Sequence, residues 1–203
     1  MAIKIRPASV NDAPALSRIC LLTADAGKSA EHLHKFPELP GLVWAVPYVN
    51  LPTTWGFVLE EDNGEVVGYI VGSKDTPVYE KYAAEHLWPV LAERYPLSAA
   101  TAPADQQYAK LLRNFRVLPA TTLAFAPAHL HIDILESHQG HGWGRKLIET
   151  AVEYLSDEGI DGVWLVMNPK NANAAKFYGK LGFSSIEGSP LNHVGLRFES
   201  RAC

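Results

Sequence analysis

Three glycines fall within the six residues Gln139-Gly140-His141-Gly142-Trp143-Gly144. Glycine lets a backbone approach a ligand closely, because no Cβ stands in the way and positive φ carries no penalty. Ahead of this turn, residues 129–135 alternate: Leu130, Ile132 and Ile134 project to one side of an extended strand, and His129, His131 and Asp133 to the other. Behind it, residues 145–158 have a helical period, with Leu147, Ile148, Ala151, Tyr154 and Leu155 on one face. A glycine-rich turn that leads from a strand into a helix presents unpaired N–H groups and a partial positive charge. That combination suits a phosphate or pyrophosphate.

The polar face of the strand supports two readings. His129-x-His131-x-Asp133 projects three potential metal ligands from one face, yet no fourth ligand or supporting shell is evident nearby. Alternatively the three side chains are hydrogen-bonded, and Asp133, half-buried, is a base with a raised pKa or a structural group facing a helix. His138 and His141 read as solvated loop residues. Trp44, Tyr48, Trp55 and Phe57 either line a pocket for a second substrate or belong to the core.

These groups need a scaffold. Residues 3–6 alternate as a first strand stopped by Pro7, and Ser9 or Asn11 is placed to cap a helix running to about Ala24. Residues 25–52 are apolar but broken by prolines, as in a lid or a segment laid over the core. Residues 55–60 and 65–73 flank Glu61-Asp62-Asn63-Gly64 as a hairpin. Residues 76–120 read as a helical insertion, with one helix over 78–95 broken at Pro89 and a second over 105–115. The strand at 129–135 is then central. Gly159 stands where a helix C-terminus expects glycine, residues 162–167 form a buried strand, residues 171–181 a helix, and residues 183–186 and 194–198 two last strands. Mixed order of this kind gives an α/β or α+β sandwich.

The chain has 203 residues, of which 47% are hydrophobic, enough for one sizeable core and a single domain spanning 1–203. A net charge of -4 without a basic run argues against nucleic acid or an anionic membrane as the main partner. Cys20 and Cys203 do not form a disulfide framework, which fits a reducing cytoplasm. The first residues contain no signal-like apolar run, and no stretch approaches the roughly 20 apolar residues of a membrane span.

Two motifs carry a resemblance. Gln139-x-x-Gly142-x-Gly144 resembles the acetyl-CoA pyrophosphate loop of the GNAT acetyltransferase superfamily. Asn171-x-x-Ala174-x-x-Phe177-Tyr178-x-Lys180-Leu181-Gly182-Phe183 resembles the motif that follows it there. A narrower likeness runs through Ile5-Arg6-Pro7, Arg18-Ile19-Cys20, Phe57-Val58-Leu59-Glu60, Gly68-Tyr69, Trp88-Pro89 and Ile132-Asp133-Ile134. Their order is similar to that in the acetyltransferase-like C-terminal domain of O-GlcNAcase. That domain lacks the glycine loop, so this chain looks like a free-standing microbial relative able to bind cofactor.

The resemblance implies a GNAT fold: a central mixed, mostly antiparallel sheet flanked by helices, with the insertion before the central strand. It implies N-acetyl transfer from acetyl-CoA to an amine. The cofactor is expected in a splay between the strand at 129–135 and the strand at 162–167, along the backbone of Ile132, Asp133 and Ile134. Its pyrophosphate is expected on Gln139, Gly140, His141, Gly142, Trp143, Gly144 and Arg145, with Asn171 and Tyr178 alongside. Asn171 equally suits a plain helix cap. Tyr178 fits the general acid that protonates the leaving thiolate, or an aromatic of the core. Many relatives carry a basic glutamate where this chain has Val166, so Asp133, His131, His129 or a water chain must replace it. That departure keeps open a non-catalytic acetyl-CoA-binding module, while the histidine strand keeps open a metal-dependent hydrolase. The identity of the amine and the oligomeric state are not legible.

Overall fold

The computed structural model describes residues 2–115 and 117–198. The first strand, β1 (Ile3–Pro7), leads into a 3-10 turn at Val10–Asp12 and helix α1 (Ala13–Thr23). Ser9 opens that turn in a reciprocal capping box with Asp12, and Pro14 occupies the first turn of α1, where its missing N–H costs nothing. The hairpin is β2 (Thr54–Glu61) and β3 (Val66–Ser73), turning at Gly64 with φ 85°. The later strands are β4 (Ala128–Ile134), β5 (Gly162–Val166), β6 (Ser184–Ser185) and β7 (His193–Arg197). Together they make one sheet in the order β1-β2-β3-β4-β5-β7-β6, antiparallel except for the β4–β5 pair.

Helix α7 (Trp143–Asp157) crosses one face. It buries Leu147, Ile148, Ala151 and Leu155 against Leu59, Ile70, Leu130 and Val163, each large side chain contributing roughly 1.5–3 kcal/mol. Tyr154 stays partly exposed at the edge of this cluster. On the opposite face α1 sets Leu16, Ile19 and Cys20 against Val58, Tyr69 and Val71. The alternation of β4 is realised: Leu130 and Ile134 enter the α7 core, while His129, His131 and Asp133 turn toward the α1 face.

Several boundaries differ from expectation. Residues 25–52 are not irregular throughout, because α2 (Leu39–Trp44) and a 3-10 turn at Val46–Val49 take their prolines into first turns. The helix expected over 78–95 is two helices, α3 (Thr76–His86) and α4 (Trp88–Arg94), parted at Leu87. Pro89 therefore starts the second helix instead of breaking the first, since only an interior proline loses a helical hydrogen bond. The next, α5 (Pro103–Leu111), begins and ends before the expected 105–115. Helix α6 (Ala120–Phe125) was not foreseen and carries the helical segment past residue 120. After α8 (Ala172–Lys180), the strand expected over 183–186 shrinks to Ser184–Ser185. Cys20 is a buried thiol, and Cys203 lies outside the described residues.

The inserted helices have their own core. Leu39 and Val43 of α2 meet Ala83, Trp88, Leu91 and Leu112. Asp105 fastens this unit to the preceding segment: its carboxylate accepts from the Lys35 and Phe36 backbone N–H groups and pairs with His34 Nδ1 at 2.7 Å, with both side chains buried.

Candidate active site

The sheet opens at its centre. Strands β4 and β5 pair only at Ala128↔Val163 and His129↔Trp164, whereas β4 stays paired with β3 through Ile134. The Leu135 N–H donates to the Val67 carbonyl at 3.0 Å. The two-residue period of the ladder then aims the backbone groups of Asp133 and His131 at β3, and those of Ile132 and Ile134 at the gap. Asp133 thus presents a side chain to the site and no backbone group to the gap. One gap position is already used, because Gln139 Nε2 donates to the Ile134 carbonyl at 2.8 Å.

The glycine turn lies beside the gap. A 3-10 turn at Glu136–His138 precedes Gly140 and Gly142, whose φ values of 78° and 84° belong to the left-handed region that glycine tolerates best. No atom lies within 4 Å of where a Cβ would stand at either residue, so the turn is open on that side. Gly142 caps α7 without a side chain, leaving the first N–H groups of Trp143, Gly144 and Arg145 without a side-chain acceptor. Gly144 plays a different part: a Cβ there would sit 2.9 Å from the Phe177 ring, so its absence lets α7 and α8 approach. Arg145 and His141 are exposed, and Lys146 Nζ lies 4.3 Å from the Trp143 ring centroid. His138 is not a solvated residue as expected; it bridges Ser137 Oγ at 2.8 Å and Glu61 at 2.9 Å. Ile3, Glu61, Ser137, His138, His141 and Trp143 border a cleft of about 280 Å³.

Helix α8 forms the other wall. Asn171 Oδ1 accepts the Ala174 N–H at 3.0 Å, so the residue is a helix cap, and its Nδ2 stands close to Gly27. A second cleft of about 390 Å³ opens there, lined by Asp25, Lys28, Lys170, Asn171 and their neighbours. The Tyr178 ring packs edge-on to Phe177 and Phe183, with centroids 5.2 and 5.3 Å away. Burial, then the Asp133 charge, pushes the Tyr178 pKa up, which keeps its hydroxyl protonated at neutral pH. No hydrogen bond to that hydroxyl occurs among the described residues.

On the floor, Asp133 Oδ2 accepts the Tyr69 hydroxyl at 2.5 Å. Burial raises the Asp133 pKa to about 6, against the opposing pull of the Tyr69 and Thr23 hydroxyls. The two histidines are wired differently. Tyr48 Oη lies 2.8 Å from His129 Nε2 and 3.1 Å from His131 Nε2, and Thr76 Oγ1 lies 2.7 Å from His129 Nδ1. Burial lowers the His131 pKa to about 4 and that of His129 well below its usual value, so both rings are neutral. With both His129 nitrogens occupied by hydroxyls, His129-x-His131-x-Asp133 is not assembled as a metal triad. Among the described residues no group of three or more His, Cys, Asp or Glu side chains is placed to hold a metal ion.

The four aromatics named from sequence separate. Trp55 and Phe57 pack on Tyr154 under α7 and belong to the core. Trp44 and Tyr48 lie on the α1 face beside His131, with ring centroids 5.6 and 5.3 Å away. Trp44 Nε1 donates to Tyr108 Oη at 3.1 Å, and the Asp133 charge reaches Tyr108. Thr76 and Tyr108 were not named from the sequence as site residues, and Tyr69 was quoted only within the Gly68-Tyr69 pair. Only Tyr69 had a local signal, since hairpin and strand register set it opposite Asp133.

Residues 108–183 match the Acetyltransferase (GNAT) family. The crystal structure of SsHAT superposes with a TM-score of 0.86 and 34% identity, over 97% of this chain and 98% of that one. A Drosophila melanogaster polyamine N-acetyltransferase, which catalyses formation of N-acetylagmatine, aligns at TM-score 0.58 and 17% identity over 97% of this chain and all of its own. The ribosomal-protein-S18-alanine N-acetyltransferase from Escherichia coli aligns at 0.52 and 14%, over 99% and 97%. The last two share the fold alone.

Proposed function

The chain belongs to the GNAT acetyltransferase family, and from that premise we propose that it is an N-acetyltransferase moving an acetyl group from acetyl-CoA directly to an amine. The observation that carries this reading is the parting of β4 from β5 after His129↔Trp164, which leaves the backbone of Ile132 and Ile134 on an open gap that leads into the glycine turn.

The residues present fit such a cosubstrate. Backbone groups of Ile132 and Ile134 would meet amides laid along the gap, and the N–H groups from Gly140 to Arg145 would face a pyrophosphate. Gln139 would contribute through its backbone, because its side chain holds the Ile134 carbonyl. Asn171 has its Nδ2 available after capping α8. When bound, acetyl-CoA supplies a thioester carbon for the amine and a thiolate leaving group. Asp133 takes the proton from the amine nitrogen, and Tyr178 Oη gives its proton to the sulfur and regains one from solvent. The Cys20 thiol is buried and its pKa pushed up by burial, which suits direct attack without an acyl-cysteine.

We take residues 1–203 as one cytoplasmic domain with the helical insertion at 76–120, working without nucleic acid or membrane. No helix among the described residues is long and apolar enough to cross a membrane. Within the family we place the chain near the acetyltransferase-like domain of O-GlcNAcase, on the short motifs given above. A second reading, a non-catalytic acetyl-CoA-binding module, draws on Val166, which packs with Trp164 and Leu123 where many relatives have a glutamate.

Calorimetry with acetyl-CoA tests the first step. Wild type binds and gains thermal stability by linkage. Gly142→Glu abolishes both, because a carboxylate would occupy the open side of the turn. Equal binding by the two proteins refutes the pyrophosphate assignment. Binding without amine-dependent thiol release, across a panel of amines, favours the binding module.

A further inference from the structure

Three side chains that the transfer reaction does not use meet just ahead of the glycine turn. Ser137 and His138 come from the 3-10 turn at Glu136–His138, and Glu61 from the end of β2. His138 Nε2 lies 2.9 Å from Glu61 Oε1. A carboxylate oxygen can only accept, so the hydrogen of that contact belongs to the ring, and the neutral imidazole carries it on Nε2. Its Nδ1 is left with a lone pair. Ser137 Oγ stands 2.8 Å from Nδ1 and is therefore the donor. Hydroxyl to imidazole to carboxylate is the order of a nucleophile, its base and the group that orients the base.

Rigid elements hold the cluster. The His138 N–H donates to the Leu135 carbonyl at 2.8 Å, and the Leu135 N–H to Val67 of β3 at 3.0 Å. Across the hairpin turn, the Glu61 N–H donates to the Glu65 carbonyl at 2.9 Å. The His138 and Glu61 side chains are only 18% and 13% exposed, so their pair is shielded from water, while Ser137 is exposed and open to attack a ligand. All three border the cleft of about 280 Å³, and Ile3 and Trp143 give it apolar walls. Sites for drug-sized ligands span roughly 300–1,000 Å³, so this cleft suits a smaller molecule.

We propose that Ser137, His138 and Glu61 form a second reactive centre, one that hydrolyses small activated carboxylic esters through an acyl-serine. Ser137 Oγ attacks the ester carbonyl carbon while its proton passes to His138 Nδ1. The bond from that carbon to the leaving oxygen breaks, and the alcohol or phenol departs with the proton. Water then adds to the acyl carbon and gives a proton to Nδ1. The bond to Ser137 Oγ breaks, the acid is released, and the serine regains its proton. Glu61 is a positioning residue: it keeps the ring hydrogen on Nε2 and the lone pair toward Ser137. A nucleophile and a base suffice for a leaving group as stable as a phenolate, which makes aryl esters the favoured class. The reaction needs neither acetyl-CoA nor an amine and stands apart from acetyl transfer.

The test uses the full chain with p-nitrophenyl acetate. Wild type is expected to release p-nitrophenol faster than an equal concentration of free imidazole, and Ser137→Ala to lower kcat/KM about 100-fold with the melting temperature unchanged. Equal rates in wild type and Ser137→Ala overturn the proposal, as does a wild-type rate no higher than that of imidazole. Diethyl p-nitrophenyl phosphate, which an activated serine attacks without releasing the phosphoryl group, is expected to label Ser137 in mass spectra. A label elsewhere with Ser137 unmodified overturns it. For Glu61, 15N-histidine spectra of the neutral His138 ring should show the hydrogen on Nε2. Glu61→Gln, whose amide N–H can donate to Nε2, should move that hydrogen toward Nδ1 and slow hydrolysis together. A wild-type ring already protonated on Nδ1 contradicts the arrangement.

Discussion

Tyr69 and Asp133 face each other across the β3–β4 ladder, and the tyrosine hydroxyl donates to the carboxylate at 2.5 Å. Tyr69 is fully buried and Asp133 is half-buried, so this bond supplies polar compensation that burial removes from the carboxylate. Without it the Asp133 pKa would stand above its value of about 6. Tyr69→Phe is expected to cost roughly 1–3 kcal/mol, the penalty of an unsatisfied buried acceptor. It should also move the acidic limb of kcat/KM to higher pH. Denaturant melts and a pH–rate profile with an accepted amine check the two parts, and an unmoved limb would remove Asp133 from the role of base.

Asp133→Asn separates chemistry from structure. The amide oxygen still accepts from Tyr69, so the melting temperature at pH 7 should hold or rise, because a half-buried charge is removed. Turnover should fall roughly 100-fold or more, within the range of general acid–base catalysis. Retained turnover with the pH profile intact assigns Asp133 to the fold alone.

Tyr178→Phe keeps the ring between Phe177 and Phe183 and deletes the hydroxyl. Stability and acetyl-CoA affinity should barely change, while kcat falls about 100-fold. The cleanest reading comes from steady-state rates beside a calorimetric Kd on the same preparation. A kcat equal to wild type makes Tyr178 a core aromatic.

The neutral histidines predict acid sensitivity. Burial depresses the pKa of His131 to about 4 and holds that of His129 well below its usual value. The unfolded chain therefore binds more protons than the native one below about pH 6.5, and stability falls as pH drops through 6.5 toward 4. Asp133 works the other way: its raised pKa makes the native state bind more protons between about pH 4 and 6. Glu80, whose pKa burial raises to about 7, acts on the same side as Asp133, so the histidine share is isolated by comparison: His131→Phe should lose less stability between pH 6.5 and 4 than wild type does. Thermal melts from pH 4 to 8 decide; a steeper loss in the variant contradicts this assignment.

Asp105 ties the inserted helices to the segment before α2. Asp105→Ala strands the Lys35 and Phe36 N–H groups and the buried His34 at once. Loss of a buried, hydrogen-bonded partner of this kind costs roughly 3–5 kcal/mol. Urea unfolding should show that loss, with weaker amine binding through the displaced Tyr108 and Trp44.

The sequence determined the parts of this protein that rest on local periodicity and on backbone conformation. Alternation over 129–135 sorted Leu130 and Ile134 from His129, His131 and Asp133 onto opposite faces, because the pleat leaves no third direction. The apolar face of α7 and the positive φ of Gly140, Gly142 and Gly159 followed in the same way from residue type and spacing. The hairpin turn at Gly64 did too. Tertiary structure decided what these parts meet. Pro89 opens a helix instead of breaking one, since neighbouring packing of Trp88 and Leu91 set where the chain would turn. Trp55 and Trp44 are the same residue type, yet one lies beneath α7 and the other beside His131. Thr76, His129, Tyr48 and His131 come from three separate segments, so no local pattern signals their chain of hydrogen bonds. The pKa shifts of His129 and Asp133 are of that kind, because desolvation depends on everything packed around a group and not on its neighbours in sequence.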